Sequence, residues 1–382
     1  MKLDLGILDK IEPIEKIYDN NCIPIAFASS DYFVPYLAVT IQSIIEHNNS
    51  LYNYDLVVFN KDISKNNRIL LNKMLDNYDN FHIRFVNVSN IFSHLSLYTP
   101  GHVSIETYFR LIIPLYMQSY DKILFLDSDL CILEDVANLY NIDIGDNAVA
   151  ATEECLMSAL VGIHGQWVVD YMHDKLGLKN IDKYFQAGVM IMNIKKFIKN
   201  SYSYTLLKMV NEFDYNIVDQ DAMNELLNGE IYWLPNEWNY PPLQKHMKEV
   251  DYLGNMSDYI RTKYLAVKNP KILHFADREK PWFYPDEDYA AVWWDIAKKT
   301  PYYELIIKNM FEQSLKNTIS LIEQNNLATQ MNISAVRNYH KNCLQYWRVK
   351  LLSKLTFGNT KKHYIEKRAR LKDMIRIAKR YK

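Results

Sequence analysis

With 382 residues, of which 49% are hydrophobic, the chain can bury a sizeable core, and its length fits one large domain with an extension. Its 44 basic and 45 acidic side chains nearly balance, and its four cysteines (Cys22, Cys131, Cys155, Cys343) form no C-x-x-C pair. That pattern excludes a zinc ribbon and gives no disulfide framework; the N-terminus is charged rather than leader-like, no run approaches the roughly 18 apolar residues of a membrane span, and a cytoplasmic location is expected.

Residues 1–20 read as a polar extension. Residues 22–29 (CIPIAFAS) are a short apolar run read as a buried strand, and 34–47 (VPYLAVTIQSIIEH) follow with helical periodicity. Residues 54–59 read as a strand, 63–75 as a helix, 82–88 as a strand, and 122–126 (KILFL) as the next central strand. This alternation predicts an open α/β sheet, largely parallel, with helices on both faces. Ligands of such sheets bind outside the carboxyl ends of the strands, which directs attention to 28–33 and 127–129. The aromatic-rich middle mixes short strands and helices, so a main domain is placed at 21–300. A helical C-terminal extension follows at 301–382. From Arg337 it carries 15 Lys and Arg against two acids, while the rest of the chain carries 29 basic and 43 acidic side chains. Near its end Tyr364, Leu371, Met374, Ile375, Ala378 and Tyr381 recur at helical spacing among cations, which reads as a basic amphipathic helix. Such a helix can lie on an anionic membrane face. It can equally pack on the acidic body; no nucleic-acid partner is expected.

Several constellations can carry chemistry. Asp127-Ser128-Asp129 directly follows KILFL; carboxylates at i and i+2 after a strand can converge on one hard cation, Mg²⁺ or Mn²⁺. A capped loop accounts for D-x-D equally well, and Asp219-Gln-Asp221 and Asp286-Glu-Asp288 match the same pattern, the last reading as a solvated turn. His274 ends a short apolar run and can supply a third ligand, with Lys280 able to reach a phosphate; a strand-end histidine and a surface lysine are the plain alternatives. Ala187-Gly188 precede an apolar strand, which suits either close ligand approach or a tight turn. Asp219 opens a helical stretch, either as its N-cap or, with Gln220, aimed at a ligand. No G-x-G-x-x-G or Walker-type loop occurs, which disfavours dinucleotide oxidoreductases and P-loop NTPases. G-x-S-x-G and H-E-x-x-H are absent as well.

In order along the chain, IAFASSDYFVPYLAVTIQSII (25–45), SIETYFRLIIP (104–114), KILFLDSDL (122–130), FQAGVMIMN (185–193), VDQDAMN (218–224) and HFADREKPW (274–282) resemble glycosyltransferase family 8. That family includes bacterial lipopolysaccharide α-galactosyl- and glucosyltransferases and glycogenin. The resemblance implies a GT-A fold and a retaining, Mn²⁺-dependent transfer of glucose or galactose from a UDP-sugar to a glycan, glycolipid or glycoprotein. It implies that Ala28, Ser29, Ser30, Tyr32 and Phe33 form the uridine loop. Asp127, Asp129 and His274 would bind the metal, Ser128 and Arg110 would lie near the donor, and Lys280 would touch the diphosphate. Gln186, Ala187, Gly188, Asp219 and Gln220 would surround the hexose, the last two being the nearest candidates for a catalytic role. The family more often has Asn where Gln186 stands, and a glycine in the loop occupied here by Asp277-Arg278-Glu279. An inverting GT-A transferase and a non-catalytic nucleotide-sugar-binding subunit are the rival readings.

Overall fold

A computed structural model describes residues 5–49, 51–93, 95, 97–101, 104–243, 251–276, 279–355 and 358–378. Asp277, Arg278, Tyr381 and the side chains of Tyr364 and Ala378 lie outside the described residues. Among the described residues nine strands run β1 Cys22–Ala28, β2 Asn53–Asn60, β3 Phe81–Asn87, β4 Lys122–Leu126, β5 Leu130–Ile132, β6 Val149–Ala151, β7 Val189–Asn193, β8 Ile231–Trp233 and β9 Ile272–His274. Seven of them form one mostly parallel sheet in the order β3-β2-β1-β4-β7-β6-β8. Only β7 is reversed, pairing antiparallel with both β4 and β6.

The apolar character of β1, of β4 after Lys122 and of β2 apart from the buried Asp55, which pairs with Arg84, follows from burial on both faces of the sheet. Successive side chains enter different cores, as the period of two requires. Leu124 and Leu126 of β4 join one hydrophobic cluster with Ile25, Phe27 and the helix Val34–Glu46. Ile123 and Phe125 join the other with Met190, Met192 and Phe109. Each such fully buried side chain stabilises by about 1.5–3 kcal/mol. The helix expected over 63–75 is shorter, Lys65–Lys73, because Ser64 caps it by accepting the Asn67 N–H.

β5 and β9 make a separate antiparallel pair in which Leu130 faces His274. That register matters most for function, because it places a histidine from late in the chain beside the loop that leaves β4.

The chain divides into two compact units, Met1–Lys308 and Asn309–Lys382. Within the second, Val349 and Leu371 are buried. The long helix Tyr303–Leu355 exposes Phe311, Leu315, Ile319 and Ile322, which share one helical face. Leu371 therefore turns inward, while Met374 of the same anticipated stripe is exposed. None of the described helices is long and apolar enough to cross a membrane.

Candidate active site

The carboxyl ends of β1 and β4, the start of the reversed β7 and the end of β9 meet in one place. There the Asp127 N–H donates to the Gly188 carbonyl at 2.8 Å, the Phe275 N–H to the Asp129 carbonyl at 3.1 Å, and the Ser128 hydroxyl to the Ala28 carbonyl at 3.0 Å. These links hold Asp127 and Asp129 on either side of His274, whose Nε2 lies 3.3 Å from Asp129 Oδ1 and 3.8 Å from Asp127 Oδ2.

Arg110 ties the floor together from the short helix Ile105–Leu111. Its guanidinium reaches Asp127 Oδ1 at 3.0 Å, Asp219 Oδ2 at 3.0 Å and the Ala187 carbonyl at 2.6 Å. It also lies over the Phe125 ring, 4.6 Å from the centroid. A planar fork can serve this many acceptors at once, which an ammonium cannot. Burial pushes the Asp127 carboxyl above its ordinary value, reinforced by the charge of Asp129 and opposed by Arg110. Burial acts on Asp129 in the same direction, but Lys280 and His274 outweigh it and hold that carboxyl well below the carboxylate range. Lys280 makes a 2.7 Å ion pair with Asp129 Oδ2.

The three ligand-capable side chains fit a divalent cation. One ligand atom each of Asp127, Asp129 and His274 lie within 4.8 Å of one another. Among the described residues none donates a hydrogen bond to the buried Asp129 Oδ1. Gly188 closes the other side: an added Cβ would come within 2.4 Å of both Asp127 Oδ2 and His274 Cε1. Two carboxylates and one imidazole are a donor set suited to Mn²⁺ or Mg²⁺.

A cleft of about 230 Å³ opens beside this cluster, lined by Ala28, Ser29, Ser30, Phe33, Thr107, Arg110 and the three residues of the D-x-D segment, among others. Phe33 packs edge-on against Trp282, which stacks on Tyr36 at 4.1 Å. Tyr32 is not brought into the cleft; it is 65% exposed at the surface.

Asp219 and Gln220 sit on the helix Val218–Leu226. The capping reading of Asp219 is corrected: the N-cap position belongs to Ile217, and it is Asp221 that accepts the Ile217 N–H. Asp219 instead accepts from the Thr107 hydroxyl and pairs with Arg110. Gln220 Oε1 accepts the Ala187 N–H at 2.8 Å and its Nε2 donates to the Tyr184 hydroxyl at 3.3 Å. Gln220 therefore braces the Ala187 backbone directly, and Asp219 does so through Arg110, which donates to the Ala187 carbonyl. Just before them Val218 has φ +28°, a strained value for a β-branched residue and a type of strain that clusters at functional sites. Gln186 turns toward Gly188 N and Asn239 Nδ2.

Thr107, Tyr184 and Asn239 escaped the reading of the sequence. Thr107 lies one short-helix turn before Arg110, a spacing that could have suggested it. Asn239 has no local signal; it arrives because Tyr240 N–H donates to the Ile272 carbonyl and His274 N–H to the Tyr240 carbonyl, each at 2.9 Å.

The sequence matches the model of glycosyl transferase family 8 over residues 24–286. It is 29% identical to General stress protein A of Bacillus subtilis over 52% of this chain and 66% of that protein. To the lipopolysaccharide 1,2-glucosyltransferase of Escherichia coli it is 24% identical, over 56% of this chain and 58% of that one. Among solved structures it is similar to the bifunctional WbbM (TM-score 0.71, 28% identity, 78% of this chain, 53% of that chain). It is also similar to the galactosyltransferase LgtC, solved with donor and acceptor sugar analogs (TM-score 0.56, 25% identity, 73% of this chain, 96% of that one). The chain thus spans about half of WbbM and just under two thirds of General stress protein A.

Proposed function

The chain belongs to glycosyl transferase family 8, and from that premise we propose that it moves glucose or galactose from a UDP-sugar to a glycan, glycolipid or glycoprotein with retention of configuration. The observation that carries this reading is the convergence of Asp127, Asp129 and His274 beside a polar cleft at the strand ends. Residues 21–300 would form the catalytic domain. Ala28, Ser29, Ser30 and Phe33 would hold the uridine, with Tyr32 at the rim. Asp127, Asp129 and His274 would hold Mn²⁺ or Mg²⁺, which when bound offsets charge on the departing diphosphate. Lys280, now paired with Asp129, would share itself with a phosphate oxygen.

Gln186, Ala187, Gly188, Asp219 and Gln220 would bound the hexose pocket. Asp219 faces Arg110 and Thr107, and both ends of the Gln220 amide are engaged. Neither is free to attack a sugar carbon, which favours front-face attack by the acceptor hydroxyl over a covalent intermediate. In that reading their role is to hold the backbone at Ala187-Gly188 against the sugar.

The relatives include a lipopolysaccharide glucosyltransferase, which supports a cell-envelope glycan or glycolipid as acceptor. The exposed Phe311, Leu315, Ile319 and Ile322 and the basic segment after Arg337 support peripheral contact with the cytoplasmic membrane face. UDP release should appear with Mn²⁺ and one member of a panel of UDP-sugars and vanish in chelator. Full turnover in chelator would overturn the metal assignment. Deleting 337–382 should abolish salt-sensitive binding to anionic liposomes, and an intact protein that ignores them at low salt would refute the membrane contact.

A further inference from the structure

Beneath His274 runs a chain of two amides whose orientation is dictated by one backbone group. The Gly188 N–H can only donate, so the Gln186 atom it meets at 2.6 Å is the carbonyl Oε1. That oxygen also faces Asn239 at 2.7 Å, where the matching atom must be the donor Nδ2. Turned this way, Asn239 presents Oδ1 to His274 Nδ1 at 2.9 Å. An oxygen without a hydrogen at that point requires the proton on Nδ1. In the neutral ring the Nε2 lone pair then points toward Asp127 and Asp129, 3.8 and 3.3 Å away, so that three acceptors converge where a cation would be held.

Asn239 is held to this task by its surroundings. It is 4% exposed. Its segment is pinned along β9 by the Tyr240-to-Ile272 and His274-to-Tyr240 hydrogen bonds and by the Lys271 N–H donating to the Glu237 carbonyl at 2.7 Å. We infer that Asn239, oriented by Gln186, is a positioning residue that fixes the His274 tautomer and readies Nε2 as a metal ligand. Partners of this kind orient metal-ligating histidines and are worth about 10–100-fold in metal affinity. The length of Gln186 acquires a reason as well. Its carbonyl spans from Gly188 N to Asn239, so one side chain ties the metal-facing backbone to the histidine's partner.

This inference rests on the proposal that Asp127, Asp129 and His274 hold a divalent ion, and one experiment separates the two. Mn²⁺ alone is titrated into the full-length chain and followed by electron paramagnetic resonance. Asn239→Leu should bind it about 10–100-fold more weakly than the parent, and Gln186→Leu should also bind it more weakly. Histidine ¹⁵N NMR of the metal-free parent, assigned with His274→Ala, should show the His274 proton on Nδ1; in Asn239→Leu that preference should be lost. No Mn²⁺ binding by the parent would remove the metal site and this inference with it. Parent binding that Asn239→Leu leaves unchanged would overturn the inference alone. So would a parent His274 protonated on Nε2 and bare on Nδ1. If Asn239→Leu does not fold, the parent's NMR signature decides the question.

Discussion

Replacing Gly188 with alanine adds one methyl and removes no functional group, yet it should disable the site. The new Cβ would lie 2.4 Å from Asp127 Oδ2 and 2.4 Å from His274 Cε1, whereas ordinary contact begins near 3.4 Å. Each neighbour must retreat by about 1 Å, and neither is free to do so. Asp127 Oδ1 is held by Arg110 at 3.0 Å and His274 Nδ1 by Asn239 at 2.9 Å. Overpacking of this size costs about 1–3 kcal/mol, a fraction of the roughly 5–15 kcal/mol of a typical domain, so the variant should fold. A displacement of about 1 Å in a reacting constellation costs on the order of 100-fold in rate. Gly188→Ala should therefore show near-parental circular dichroism, a modestly lowered melting temperature, weakened Mn²⁺ binding and roughly 100-fold slower UDP release. Turnover and Mn²⁺ affinity within about threefold of the parent would refute the claim that Gly188 packs against two metal ligands.

Other substitutions separate the roles of neighbouring residues. Lys280→Ala should weaken UDP and UDP-sugar alike, each by about 1.5–3 kcal/mol in a calorimetric titration, since the lost contact is to shared phosphates. An unchanged UDP affinity would place Lys280 elsewhere. Asp219→Asn should instead slow turnover with UDP affinity nearly intact, and equal losses in both would contradict a place beside the hexose. Arg110→Lys keeps the charge but loses the fork joining Asp127, Asp219 and Ala187, so chemical denaturation should show a loss of about 1–3 kcal/mol; parental stability would count against that bracing role. Away from the site, buried Glu153 is bound by Lys183 at 2.8 Å and by Lys263. Burial raises its carboxyl and the two lysines more than offset this, leaving it below its ordinary value. Its contribution is thus present above about pH 4.3 and lost as pH falls through the lower folded value. Glu153→Gln should lose about 1–3 kcal/mol at pH 7, and the gap to the parent should close below about pH 4. A gap independent of pH would show that the charge of Glu153 is not what stabilises.

The fold was most legible where burial is two-sided. Residues 22–29 and 122–126 could be read as strands because a strand buried on both faces needs a nearly unbroken apolar run, and 54–59 could because only Asp55 interrupts one. The reversal of β7 was not legible, since an apolar run has no direction. Strands of three residues, such as β5, β6, β8 and β9, are too short to show a period. In the site, Asp127 and Asp129 stood out because KILFL ends immediately before them. Asp219 was misread as a possible cap because its true partners, Arg110 and Thr107, lie far away in sequence. Asn239 was invisible for the same reason, its place being set by backbone pairing with β9.

A retaining hexosyl transfer at Asp127, Asp129 and His274 would leave one decisive signature, the anomeric configuration of the product. UDP-α-glucose and UDP-α-galactose are each supplied with Mn²⁺ and a glycan acceptor, and the anomeric proton of the new linkage is read by NMR. An α-linked product is expected from the parent and none from Asp129→Asn; a β-linked product, or undiminished product from Asp129→Asn, would refute the assignment.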